Sequence, residues 1–71
     1  MMERIDFELT EDYIELIKLL KLLQIANSGG QAKQMVDNGE VILNDTLETR
    51  KRAKIKKGDK IEIFDLQIFI Q

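Results

Sequence analysis

The stretch from Tyr13 to Ile25, YIELIKLLKLLQI, constrains this chain more than any other. Tyr13, Leu16, Ile17, Leu20 and Leu23 recur at i, i+3, i+4, i+7 and i+10, and Leu19 and Leu22 widen the stripe around most of a helix. A helix this apolar needs cover, either from its own domain or from a partner. Glu15, Lys18 and Lys21 interrupt the stretch and argue against a membrane span. Just upstream, Thr10 is placed to cap the helix, with Glu11 and Asp12 at the positive end of its dipole. Leu9 and Ile14 have the spacing of a hydrophobic staple.

Around this helix the apolar spacing changes. In RIDFEL, Ile5, Phe7 and Leu9 alternate with Asp6 and Glu8, which predicts a short edge strand. After the helix, SGGQ reads as a capping box between Ser28 and Gln31, opening a second helix with Ala32, Met35 and Val36 on its apolar face. Lys33 and Asp37 are spaced to pair on that helix, and Asn38-Gly39 ends it. EVILNDTLE then places Asn44 and Asp45 between two apolar runs, as a tight hairpin requires. Beyond the turn signal KGD, Ile61 and Ile63, then Ile68 and Ile70, return to period 2.

The order strand, helix, helix, then several strands predicts an α+β domain, two helices packed on a small antiparallel β-sheet. With 71 residues, 44% of them hydrophobic and 34% charged, residues 1–71 read as a single globular domain. A domain of this size buries only about 60% of the surface its unfolded chain exposes, so its stability is modest.

The same sequence excludes much chemistry. With no cysteine and no histidine there is no disulfide framework, no thiolate or imidazole metal site and no imidazole base. Ser28 has no base to activate it, and the carboxylates fall on exposed faces where nothing shifts their pKa. The expectation is a protein that is not an enzyme and uses no cofactor. MMERIDFELTED lacks a basic-then-apolar leader, which points to a soluble, cytoplasmic protein.

The formal net charge of -2 hides a change of sign along the chain. From Met1 to Leu16 six acids face the single base Arg4, whereas from Ile17 onward ten bases face seven acids. The cations concentrate in TRKRAKIKKGDK, with Arg50, Lys51, Arg52, Lys54, Lys56, Lys57 and Lys60 opposed there only by Asp59. If this segment is extended, Ala53 and Ile55 point inward and Arg50, Arg52, Lys54 and Lys56 form an outward row repeating every ~6.6 Å. Such a row can follow a phosphate backbone, or it can guard a sheet edge against aggregation. The two arginines, able to grip phosphate with two parallel hydrogen bonds, bring the readings level. The SGG entry to the second helix likewise serves as a cap, with room for a phosphate at its amides. Phe7, Tyr13, Phe64 and Phe69 are not interleaved with the cations in sequence, which disfavours modules that bind single strands by stacking. Most of these rings are expected in the core, with outward positions open to Phe64 and Phe69.

In SGGQAKQMVDNGEVILNDTLETRKRAKIKKGDKI the chain closely resembles the S4-type RNA-binding domain, the alpha-L motif named after a small-subunit ribosomal protein. The amphipathic helix, the Ser28-initiated helix with Ala32 and Lys33, NGEVILND and KKGDKI carry the resemblance, which spans about Tyr13 to Ile63. SGGQAK with ETRKRAKI looks more narrowly like the stand-alone bacterial YbcJ-like subgroup, and there it extends over nearly the whole chain.

The resemblance implies binding to structured RNA, such as ribosomal or transfer RNA; a monomer associated with the ribosome is the accompanying expectation. Its contacts would be Gln31 and Lys33 on the second helix and Arg50, Lys51, Arg52 and Lys54 in the basic segment, to which the outward row adds Lys56. Two departures imply weaker or differently oriented binding: Gly29 stands where many members have arginine, and Asp45 replaces the hairpin glycine. A second function from another class stays open, a small protein-interaction adaptor docking through the leucine-rich helix or a sheet edge.

Overall fold

The two spacings in the sequence become two layers around one core. The computed structural model describes residues 2–71. In chain order the elements are β1 (Glu3–Phe7), β2 (Ile14–Glu15), α1 (Leu16–Leu22), α2 (Gly29–Asp37), β3 (Val41–Leu43), β4 (Thr46–Leu47), β5 (Lys54–Ile55), β6 (Lys60–Ile63) and β7 (Leu66–Ile70). A five-stranded sheet runs β1-β7-β6-β3-β4, and β2 pairs with β5 in a separate two-stranded ladder. The expected α+β architecture, with two helices, is present.

Period-2 alternation sets the register. Ile5 on β1, Ile68 on β7, Ile61 on β6 and Leu43 on β3 stand opposite one another in a single row across the sheet. Directly opposed residues share a face, so one slip in register would expose the whole row. Against it pack Leu16, Leu19 and Leu20 of α1 and Ala32 and Val36 of α2, all buried in the same cluster. Most of the leucine surplus is therefore consumed inside the domain; Leu22 is 59% exposed.

The sheet departs from purely antiparallel pairing in one place: β1 lies parallel to β7. Parallel neighbours need a long crossover, and here both helices and five further strands lie between them in sequence. β1 is an edge strand, as its alternation predicts.

The start of α1 also differs from the expectation. Thr10 does not cap it, and its first turn carries no acid; Glu15 occupies the cap position without a side-chain hydrogen bond. Its amides are satisfied from far along the chain, because Leu16 N–H donates to the Ala53 carbonyl at 2.9 Å and Ile17 N–H to that of Lys51 at 3.3 Å. With Ile14 and Glu15 drawn into the ladder with β5, the preceding residues cannot continue the helix, and Tyr13 falls outside it.

The second helix follows its sequence closely. Ser28 Oγ accepts from Gln31 N–H at 3.1 Å. The return bond differs by one residue, since the Gln31 side-chain carbonyl accepts from the Asn27 amide rather than that of Ser28. At the other end Gly39 adopts φ +72°, while its N–H and that of Glu40 bond back to the Val36 and Met35 carbonyls. This left-handed cap, which glycine adopts without a Cβ penalty, closes the helix. The β3–β4 hairpin turns on Asn44 and Asp45, with φ +51° and +69°. Among the described residues no helix is long and apolar enough to cross a membrane.

Candidate nucleic-acid interface

Ala53 and Ile55 are buried, as the two apolar residues in the basic run predict. Only Lys54 and Ile55 are in strand, however, and Ala53 N–H closes a turn onto the Arg50 carbonyl at 3.3 Å. The straight row of Arg50, Arg52, Lys54 and Lys56 is thus replaced by a turn at residues 50–53 followed by a short strand. The cause is the start of α1, whose two amides bond to carbonyls in that turn.

The turn is built on Glu48, the one buried charged residue among those described, at 7% exposure. Its carboxylate accepts from the Arg50 backbone N–H at 2.8 Å, from Nε at 3.1 Å and from a terminal guanidinium nitrogen at 3.2 Å. These bonds outweigh the burial that would favour protonation, and hold the Glu48 carboxyl below its ordinary range. Arg50 therefore has a structural partner while its side chain stays largely in solvent.

Lys51 reaches the second helix. Its Nζ lies 3.3 Å from an oxygen of Asp37, the acid expected to pair with Lys33. Lys33 forms no ion pair among the described residues, and the basic turn is tied to α2 instead. At the opposite end of α2, a Cβ on Gly29 would meet the Lys21 side chain at 3.9 Å. The aliphatic stem of Lys21 from α1 therefore lies beside the position where the chain lacks arginine. The sequence reading omits Lys21; its signal was a base in the last turn of α1, which also suits the helix dipole.

On the strand, Glu15 opposes Lys54, and the Lys54 ammonium sits 4.9 Å from the centroid of the Tyr13 ring. Tyr13 is thus beside a cation after all, through the pairing of β2 with β5. Such a contact is worth roughly 0.5–1 kcal/mol at an exposed site. Arg52 and Lys56 are exposed and form no ion pair among the described residues. The Lys56 amide is held by Asp59 at 2.8 Å, which fixes the backbone but leaves the ammonium out. Asp45, the acid replacing the hairpin glycine, lies 3.2 Å from Lys60 Nζ, and this contact raises the lysine's pKa.

The sequence-predicted residues thus fall into two groups joined by one ion pair. Lys51, tied to Asp37, links the turn bearing Arg50 and Arg52 to the helix bearing Gln31 and Lys33. Among the described residues no group of histidines, cysteines or acids is arranged to hold a metal. What the segment offers a ligand is exposed positive charge on a backbone fixed at Ala53 and Ile55.

A family model described as the S4 domain matches residues 7–71. The protein named "Putative RNA-binding protein YbcJ" from Escherichia coli (strain K12) is 43% identical over 49 residues, covering 69% of this chain and 70% of that protein. "Probable ribosome maturation protein RlbA" from Bacillus subtilis (strain 168) is 38% identical over 52 residues, 73% of each chain. The solution structure of YbcJ from E. coli, described as revealing an alpha-L motif involved in RNA-binding, matches with a TM-score of 0.68. That match has 35% identity and covers 97% of this chain and 91% of the other.

Proposed function

The chain belongs to the S4 domain family, and from that membership we propose that it binds structured RNA, ribosomal or transfer RNA, as a non-catalytic cytoplasmic module that acts with the ribosome. The observation that carries the reading is the exposed charge of Arg52, Lys54 and Lys56 on a backbone anchored by buried Ala53 and Ile55, with Lys51 tying the turn to the end of α2 through Asp37. Lys33, Arg52, Lys54 and Lys56 are the side chains best placed to contact phosphate. Lys51 contributes at the junction, Gln31 from the first turn of α2, and Arg50 adds charge from its clamp on Glu48. Lys21, whose side chain passes Gly29, adds a further cation from the end of α1. The names of the relatives, an RNA-binding protein and a ribosome maturation protein, support the same reading.

Recognition in this reading rests on phosphate position and helix shape rather than on a row of base contacts. Affinity for a folded ribosomal RNA fragment is expected to fall with salt, log K against log salt having a slope of about -3 to -4 for four phosphate contacts. The test is a titration at several salt concentrations with the wild type and an Arg52→Glu/Lys54→Glu variant. A flat salt response, or equal binding by the variant, would refute it. Recovery of the same RNA by both proteins after crosslinking in cells would refute the assigned surface.

A further inference from the structure

One exposed aromatic residue is held where aromatics rarely sit. Phe64 is the first residue of the two-residue turn between β6 and β7, with φ +55°, a position that favours glycine. Its ring is not buried in return, since the residue is 58% exposed. The turn is kept in this conformation by its neighbours: Ile63 pairs with Leu66 across it, and Glu3 N–H donates to the Asp65 carbonyl at 2.6 Å. A bulky residue kept at positive φ without burial points to a use for the side chain.

Beside the ring lies a shallow cleft of about 260 Å³, lined by Phe64, Glu40, the α2 residues Gln31, Gln34 and Met35, and Asn38, which caps that helix. Gln34 and Asn38 are one helical turn apart, and their carboxamides make no side-chain hydrogen bond among the described residues. The Gln31 side chain already accepts a bond from Asn27 through its carbonyl, which leaves its NH₂ as donor. No cation lines the cleft and Glu40 does, so a phosphate is disfavoured there. The space is smaller than the ~300–1,000 Å³ of a whole-ligand pocket.

We propose that this cleft receives one unpaired nucleobase of the bound RNA, adenine, stacked on Phe64 and read by the carboxamides of Gln34 and Asn38. An aromatic face accepts a base by stacking, and a carboxamide matches the donor and acceptor pair at adenine N6 and N7. Gln31 belongs to both this cleft and the proposed RNA surface, so the base enters from the same ligand. The inference rests on the RNA-binding reading, and adds to a shape-reading surface one position that senses base identity.

Three hairpin RNAs separate the two ideas: a fully paired stem, the same stem with one unpaired adenosine, and the same stem with one unpaired uridine. The wild type is expected to bind the adenosine RNA at least about 5-fold more tightly than the paired stem, in line with base stacking on an aromatic side chain, and more tightly than the uridine RNA. Phe64→Gly suits the turn backbone, so thermal stability holds or rises while that preference is lost and affinity for the paired stem stays. Phe64→Leu, which keeps apolar bulk without the ring, is expected to lose the preference as well. A Gln34→Ala/Asn38→Ala variant is expected to bind the adenosine and uridine RNAs alike. Equal wild-type affinity for the three RNAs, or Phe64 variants that keep the preference or weaken all three equally, overturns the base site and leaves the RNA-binding reading standing. No binding to any of the three overturns both.

Discussion

The Arg50 guanidinium grips both oxygens of the Glu48 carboxylate, at 3.1 and 3.2 Å, and the Arg50 amide donates to the same group at 2.8 Å. A cation in the segment proposed to meet RNA therefore also shapes that segment. Its effects on folding and on binding need separate measurement.

Replacing Glu48 removes acceptors that shape the turn. Glu48→Ala is expected to cost roughly 1–2 kcal/mol, for hydrogen bonds to a nearly buried carboxylate, read from urea midpoints at neutral pH. Because its folded pKa lies below the ordinary 4.5, Glu48 contributes stability that is full above that value and drains away as pH falls through the folded value. The gap between wild type and Glu48→Gln should therefore be widest near neutral pH and narrow in acid. A gap that grows in acid would contradict the assignment.

Binding and stability are expected to separate at Arg52. It is exposed and unpaired among the described residues, so Arg52→Ala should leave the thermal midpoint nearly unchanged while reducing the salt slope by about 0.7–0.9. Arg50→Ala should reduce the slope and lower the midpoint together, because Glu48 loses its partner. Calorimetry alongside salt titrations checks both.

Asn44 joins the hairpin to the next strand. Its side-chain NH₂ donates to Asp59 at 3.0 Å, its carbonyl accepts from the Lys60 amide at 2.9 Å, and its backbone sits at φ +51°. Asn44→Ala loses both bonds and tolerates that φ less well, for an expected cost of about 1–3 kcal/mol. Asn44→Gly should recover part of the loss, which a denaturant series would show.

In the row across the sheet, Ile68 stands between Ile5 and Ile61 and is fully buried. Ile68→Ala is expected to cost about 2–5 kcal/mol and Ile68→Val about 0.5–1.5 kcal/mol. The first approaches the whole stability of a domain this small, so circular dichroism should show it partly unfolded at 37 °C.

Features fixed by neighbouring residues were legible in the sequence. Ser28 and Gly39 bound the second helix, Asn44 and Asp45 make the hairpin, and Ala53 and Ile55 anchor the basic run because two apolar residues at even spacing leave little choice. What escaped depends on partners remote in sequence. Thr10 looks like a cap only until Ala53 and Lys51 supply the acceptors for α1. Lys33 and Asp37 have ideal helical spacing, yet Lys51 takes the acid. The straight cationic row fails for the same reason, since a run of charges says nothing of the turn that another element imposes. Tyr13 reaches Lys54 only through a ladder of two residue pairs.

The parallel pairing of β1 with β7 brings the first and last strands together, with Leu9 N–H donating to the Gln71 carbonyl at 3.0 Å and Gln71 N–H to that of Phe7 at 2.8 Å. Hairpins such as β3–β4 and β6–β7 close short loops and can form within microseconds. Contacts between distant segments must first overcome a larger loop entropy, which slows folding. The strand that comes first in sequence is therefore expected to be among the last secured, docking onto a sheet whose hairpins have already closed.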